Sequence, residues 1–201
     1  MNPSSLPELA ALASEPVARR SLDPTLCALL VVDIQEKLLP SIYNREDVVR
    51  NTQILIRLAG VLDIPVLVTT QYLRGLGPTV PEIAALLPGS AAIDKNTFGC
   101  FGCEEFRTAL RQLPGHRTTT LVCGIESHIC VTQTALGALQ GGYMVHIASD
   151  AVGSRSEANH VVGLQRMEAA GAVLSSTEMM MYELLHRAGT AEFKQMLAYI
   201  K

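Results

Sequence analysis

An unbroken apolar run, Ala28-Leu29-Leu30-Val31-Val32, leads directly into Asp33. A strand with one wet face alternates apolar and polar side chains, so a run like this describes a strand covered on both faces. Such strands belong to parallel sheets, where helical crossovers bury both sides. A carboxylate at the end of the run falls at the carboxyl edge of the sheet, where open α/β folds place their ligands. The pattern recurs along the chain. Strands are predicted at Cys27–Asp33, at Pro65–Thr69, near Ala92, up to Cys123, at Met144–Ala148 and at Ala172–Leu174. Amphipathic stretches alternate with them, which is the signature of a parallel sheet with crossover helices. The expected fold is therefore α/β: a Rossmann-like three-layer sandwich with a six-stranded parallel sheet and helices on both faces.

Helix signals agree with this. Asn44 is a candidate N-cap with Glu46 and Asp47 in the first turn, and Val48, Thr52, Leu55, Ala59 and Leu62 share one face behind it. Another helix is expected from about Cys103. Ser154 with Glu157, and Ser175 with Glu178, form capping-box patterns. Residues 71–90 hold Gly75, Gly77, Pro78, Pro81, Pro88 and Gly89, and read as a long loop with room for one helical turn.

Length and composition bound the function. With 201 residues, 48% of them hydrophobic and 17% charged, the chain can bury one substantial core. Residues 25–201 form the expected domain, and residues 1–24 an N-terminal appendage with a short helix around Leu6–Ala13. A net charge of −3 without a basic cluster argues against nucleic-acid binding, and 4% aromatic residues with no tryptophan argue against a base-stacking platform. No apolar stretch approaches the ~18 residues of a membrane span. The first 24 residues include Glu8, Glu15, Arg19 and Arg20 and lack a signal peptide's apolar core, so a cytoplasmic location with reduced cysteines is expected. High hydrophobicity with few charges also suggests surface buried between subunits of a homo-oligomer.

The chemistry concentrates in Thr118–Thr134, TTTLVCGIESHICVTQT. An apolar run breaks at Gly124, and a short connector leads into a helical pattern carrying Cys130 in its first turn. Val131, Ala135, Ala138 and Leu139 share a face of that helix, which stops at Gly141-Gly142. A thiol in a first helical turn faces unpaired N–H groups and the positive end of the macrodipole, which favour thiolate. The alternative is a buried cysteine packing as a small hydrophobe. Lys95 follows another short apolar run, Ala91-Ala92-Ile93, and Asp94. Asp33, Lys95 and Cys130 thus stand at or past the ends of different strands and could converge on one crevice. Taken singly, Asp33 could instead cap the next turn and Lys95 could be a solvated surface residue.

Several separated segments carry a family resemblance. Val31–Leu38 (VVDIQEKL), Asp94–Phe106 (DKNTFGCFGCEEF) and Gly124–Tyr143 (GIESHICVTQTALGALQGGY) resemble the isochorismatase-like cysteine hydrolases. Thr69–Ile83 and Ala148–Ser156 are most similar to the branch of isochorismatase domain-containing proteins. The likeness covers about residues 25 to 200, with its motifs in order. It implies Asp33 as general base, Lys95 as its cationic partner and Cys130 as nucleophile. It also implies a cis peptide between Ile125 and Glu126, with the amides of Glu126 and Cys130 as the oxyanion hole. The implied reaction is hydrolysis of a small amide or related acyl substrate through a thioester, without a cofactor. Gln35, Tyr72, Phe98 and Phe101 are candidate pocket walls, though their spacing names no ligand.

Other readings compete. A redox role for Cys100-Phe101-Gly102-Cys103 is weakened because Lys95–Gly99 separate it from the preceding strand. Structural zinc would need a second ligand pair, which the sequence lacks. Metal catalysis of the kind found in the nicotinamidase relatives needs an Asp and His cluster, and Thr69–Gly77 contains neither histidine nor carboxylate. His128 reads as a packed or solvent-facing residue, Asp150 as a cap, and Met179-Met180-Met181 as core filling. A catalytically silent or redox-responsive binding protein on the same fold remains an alternative, as does cleavage of isochorismate's vinyl ether. The latter is weakened because the true isochorismatases of the superfamily lack the cysteine nucleophile.

Overall fold

The run that opens the sequence argument becomes β1, Cys27–Val32, with every residue buried. The computed structural model describes residues 21–199. After β1 come α1 (Arg45–Val61), β2 (Val66–Gln71), α2 (Leu73–Leu76), α3 (Pro81–Ala84) and β3 (Ile93–Lys95). Then follow α4 (Glu104–Arg111), β4 (Thr119–Ile125), α5 (Thr132–Gln140) and β5 (Met144–Gly153). The described chain closes with α6 (Glu157–Ala169), β6 (Val173–Ser175), α7 (Thr177–Leu185), α8 (Ala191–Met196) and a last 3-10 turn. The six strands pair in parallel throughout, in the order β3-β2-β1-β4-β5-β6.

Alternation along the strands divides the core in two. Leu29, Val31, Leu121 and Cys123 pack beneath α1, α7 and α8, through Leu55, Ala59, Met180, Leu184 and Met196. Leu30, Val32 and Val122 point the other way, onto Phe106 of α4, Ala135 and Ala138 of α5 and Met167 of α6. This is the expected three-layer sandwich. Each fully buried leucine on either face contributes about 1.5–3 kcal/mol relative to exposure, so neither face of β1 tolerates a polar residue.

The helix starts differ in detail from the sequence signals. Val48, Thr52, Leu55 and Ala59 of α1 are buried as expected, and Leu62 is partly so. Asn44 precedes α1 without making a side-chain cap, and its Nδ2 donates instead to the Val152 carbonyl at 3.0 Å. The two capping serines shift, by two residues and by one: Ser156 accepts from the Asn159 amide and Ser176 from the Met179 amide. The reason is strand length. β5 runs on to Gly153, leaving Ser154 buried just beyond it, and β6 ends with Ser175, so the next serine caps in each case.

Residues 71–90 contain two short helical turns, α2 and α3, and Thr79 forms an antiparallel bridge with Gln35. At the other end, Leu22 is buried against the core and its amide donates to Glu183 Oε1 at 2.9 Å. The helix expected at Leu6–Ala13 lies outside the described residues. Among the described residues no helix is long and apolar enough to cross a membrane.

Candidate active site

Strand order sets the site. β3, β2, β1 and β4 are neighbours, so their carboxyl ends bring Lys95, Gln71, Asp33 and the segment after β4 to one edge. Asp33 turns out of β1 with φ of 53°, a left-handed conformation that aspartate tolerates better than most residues. Its Oδ1 accepts from Thr69 Oγ1 at 2.7 Å and its Oδ2 from Lys95 Nζ at 2.6 Å. Lys95 Nζ also faces Gln71 Oε1 at 3.0 Å and the carbonyls of Phe98 and Thr97 at 3.0 and 3.2 Å. Both side chains of the ion pair are fully buried. Burying two charges is costly, and the additional hydrogen bonds to each partner offset that cost.

Cys130 joins this pair. Its thiol lies within the electrostatic reach of both Asp33 and Lys95, and the residue is 6% exposed. Burial, followed by the negative charge of Asp33, pushes the thiol up to about 12, while Lys95 pulls weakly in the other direction. Burial and Asp33 thus favour the protonated thiol at neutral pH. Desolvation and the adjacent carboxylate work against the thiolate that the helix start and Lys95 favour.

The turn that carries Cys130 also differs from a plain α-helical start. Ser127–Val131 form a π-helical turn ahead of α5, with the Val131 amide donating to the Glu126 carbonyl at 3.2 Å. Thr132 Oγ1 donates to the Ser127 carbonyl at 2.6 Å and steadies the wider turn. π-turns recur at functional sites. The strand before it does not stop at Gly124 but continues to Ile125. Gly124 has φ of 121°, and a Cβ there would sit 2.1 Å from the Val32 carbonyl oxygen, so only glycine lets β4 pass this close to the end of β1. The peptide joining Ile125 to Glu126 is cis.

Side chains around the turn anchor it. Glu126 Oε1 accepts from Arg155 Nη2 at 2.6 Å, and Oε2 accepts from the Arg155 amide and Nε at 2.9 and 3.1 Å. Burial works against the Glu126 carboxylate, but these bonds prevail and hold it below the usual range. Ser127 Oγ lies 2.9 Å from His160 Nδ1, and His128 Nδ1 lies 3.0 Å from Ser154 Oγ.

The expected wall residues divide. Tyr72 and Phe98 are 52% and 55% exposed, beside the β2 and β3 ends. Gln35 is buried and its amide is engaged: Nε2 donates to the carbonyls of Gln71 at 3.1 Å and Gly77 at 2.6 Å, and Oε1 accepts from the Gln71 amide at 2.7 Å. The Phe101 ring packs edge-on against Phe106 and Tyr143, at 5.5 and 5.8 Å between centroids. Cys100 is buried with Sγ 3.8 Å from Thr69 Oγ1, Cys103 is half-buried, and all five cysteines are free. Asp150 caps α7, accepting from the amide and hydroxyl of Thr177 at 2.8 and 2.9 Å. Among the described residues no group of three or more His, Cys, Asp or Glu side chains is arranged to hold a metal ion.

Thr69, Gln71 and Arg155 were not singled out from sequence. Gln71 and Thr69 end a strand as Asp33 does, and that polar ending was the available signal. Nothing in the spacing ties Arg155 to Glu126.

Residues 27–179 match the isochorismatase domain model. The chain is 37% identical over 196 residues to the secreted isochorismatase effector Isc1 of Phytophthora sojae, covering 96% of this chain and 93% of that protein. It is 36% identical over 187 residues to isochorismatase domain-containing protein 2 of Rattus norvegicus, covering 92% and 87%. The structure of MAR1 ribonuclease from Caenorhabditis elegans superposes with a TM-score of 0.83 at 33% identity, covering 90% of this chain and 92% of that one. The YcaC gene product of Escherichia coli, described as an octameric hydrolase of unknown specificity, superposes with a TM-score of 0.84 at 26% identity, covering 92% of each.

Proposed function

This chain belongs to the isochorismatase domain family, and from that premise we propose that it is a cysteine-dependent hydrolase of a small amide or related acyl compound. The observation that carries the reading is the fully buried ion pair of Asp33 with Lys95 at 2.6 Å, whose charges both act on the Cys130 thiol. As Sγ attacks the acyl carbon, the thiol proton passes to Asp33. The amides of Glu126 and Cys130 receive the oxyanion, each such donor being worth about 3–4 kcal/mol of barrier. When the tetrahedral intermediate collapses, the C–N bond breaks, Asp33 returns the proton to the departing amine, and a thioester remains on Cys130. Water then attacks the thioester, giving its proton to Asp33, and the expelled thiolate recovers a proton from it. Lys95 keeps a positive charge beside whichever group is negative.

Tyr72 and Phe98 are the proposed walls for the acyl group. Gln35 acts at one remove, by holding the backbone of Gln71, which in turn accepts from Lys95. Phe101 braces that wall through Phe106 and Tyr143. Vinyl-ether cleavage, which the name of the Phytophthora relative raises, has no use for a thiol beside the base. The net charge of −3 favours a small molecule over a nucleic acid. Five free thiols suit a reducing, cytoplasmic setting, and the octameric YcaC relative supports a homo-oligomer.

The test is a panel of small amides and esters with wild type and Cys130→Ala, read by product formation and by mass spectrometry of the protein. Turnover with an acyl adduct on Cys130, both absent in Cys130→Ala, is the expected result. Turnover unchanged in Cys130→Ala would overturn the reading.

A further inference from the structure

The first cysteine of Cys100-Phe101-Gly102-Cys103 has no part in the reaction written above, yet the fold encloses it beside the base. Cys100 opens the 3-10 turn Cys100–Gly102 and is 0% exposed. Its Sγ lies 3.8 Å from Thr69 Oγ1, which in turn lies 2.7 Å from Asp33 Oδ1. Thr69 is buried as well, and its carbonyl accepts from the Asp33 amide at 3.2 Å. Thr69 therefore holds Asp33 twice, by backbone and by side chain.

The direction of each bond follows from counting protons. An ionised carboxylate only accepts, so Thr69 must commit its one hydroxyl proton to Asp33 Oδ1. That leaves Thr69 Oγ1 only lone pairs to offer Cys100, so the thiol is the donor. Burial pushes the Cys100 thiol up to about 11, against the pull of Lys95, so the S–H proton is present throughout the neutral range. The place of Cys100 is itself secured, because its amide donates to Thr134 Oγ1 of α5 at 3.0 Å. A Cβ on Gly99 would be 3.0 Å from the Gln133 side chain, and one on Gly137 would be 2.7 Å from that of Phe101. Glycine on each side thus lets this turn lie against α5. A continuous row of hydrogen bonds runs from the helix behind the nucleophile to the base, through Thr134, Cys100, Thr69 and Asp33.

We propose that Cys100 and Thr69 are positioning residues for the hydrolysis proposed above, a role that rests on that reading. The thiol orients the Thr69 hydroxyl, and the hydroxyl holds the Asp33 carboxylate in its plane and stabilises its charge. Lys95 serves Oδ2 from the other side, so each carboxylate oxygen keeps its own donor. Neither residue is asked to touch the substrate, and no redox chemistry is asked of Cys100.

The test is the burst of p-nitrophenolate from p-nitrophenyl acetate, followed against pH with the full chain. Cys130 Sγ takes the acetyl group, its proton goes to Asp33, and p-nitrophenolate leaves without needing a proton, so the burst reads the base step. Thr69→Val removes the hydroxyl and should lower the burst rate about tenfold, with the ester concentration at half-saturation within about twofold. It should also move the acid limb of the rate up by about one pH unit, because a carboxylate with one donor fewer is more readily protonated. Thr69→Ser restores the hydroxyl and should return both to near wild type. Cys100→Ala should move the limb the same way but less, since S–H is a weak donor. In the Thr69→Val background it should have no further effect, because it acts only through that hydroxyl. A merely structural role would lower the melting temperature and slow the burst at every pH alike, and an unmoved limb in Thr69→Val would overturn the inference. A Cys100→Ala shift that persists without the Thr69 hydroxyl would overturn the place of Cys100 in the row. If Thr69→Val does not fold, Cys100→Ala against Cys100→Ser, which keeps a donor, carries the test by the same limb. A burst that survives in Cys130→Ala would overturn the hydrolase reading, and this inference with it.

Discussion

The Asp33 carboxylate does two opposite things to Cys130, and substitution separates them. Its charge adds to burial in holding the thiol protonated, while its basicity takes the proton during attack. In Asp33→Asn the charge is gone and Lys95 remains, so the thiol should titrate well below about 12 and iodoacetamide labelling of Cys130 at pH 8 should speed up. Turnover should nevertheless fall by about 10²–10⁴-fold, because an amide cannot serve as the base. Labelling that slows along with turnover would show that Asp33 does not set the thiol's protonation. The stability of the pair has its own signature. Lys95→Met leaves a buried carboxylate without its cation and should cost about 3–5 kcal/mol in urea unfolding. Adding Asp33→Asn to that variant should recover much of the loss, since no lone ion is then buried. A double variant no more stable than Lys95→Met would show that packing, not charge, carries the cost.

The nucleophile turn and α6 act as one element pair, and Gly163 is the joint between them. Replacing a helical glycine by alanine ordinarily stabilises by about 1 kcal/mol. Here the added methyl meets His128 backbone atoms 3.0 Å away. Gly163→Ala should therefore gain nothing in thermal melting and should lower kcat more than it raises KM, because the displaced residues carry the nucleophile rather than the pocket walls. A more stable variant with full turnover would remove the coupling. Elements were also where sequence was most and least informative. Strands covered on both faces, such as Cys27–Val32, were legible because burial on two sides leaves no polar positions. The π-turn was not, since its five-residue hydrogen bond leaves the apolar spacing of α5 almost unchanged. The caps were misplaced, by two residues at Ser154 and by one at Ser175, because where each strand ends decides which serine caps. Asp33 and Lys95 were legible as polar residues ending apolar runs, and the structure joins them at 2.6 Å, while the burial around Cys130 was not legible, because desolvation depends on what packs around a residue.

For the molecule as a whole, acid sensitivity should centre on a histidine far from catalysis in role. His146 of β5 is buried, its Nδ1 has no hydrogen-bond partner among the described residues, and burial lowers its pKa to about 4. The unfolded chain takes up that proton near pH 6.5, so stability is complete above 6.5 and is lost as pH falls toward about 4. Each pH unit in that window should cost about 1.4 kcal/mol. His146→Leu should flatten this part of the curve in urea titrations, and an unchanged slope would assign it to another group. The active site behaves in the opposite way, and this follows from how completely Asp33 and Lys95 are enclosed. Moving a proton from Cys130 to Asp33 relocates a negative charge within the cluster without changing its total. Seen from outside, the site is an electrically closed compartment: nucleophile activation neither imports nor exports an ion. Dissolved salt, which screens charges over roughly 8 Å at physiological strength, then has little to act on. With an uncharged substrate, the acylation rate should stay nearly constant from low salt to half-molar potassium chloride, a behaviour stopped-flow measurement of the thioester can record.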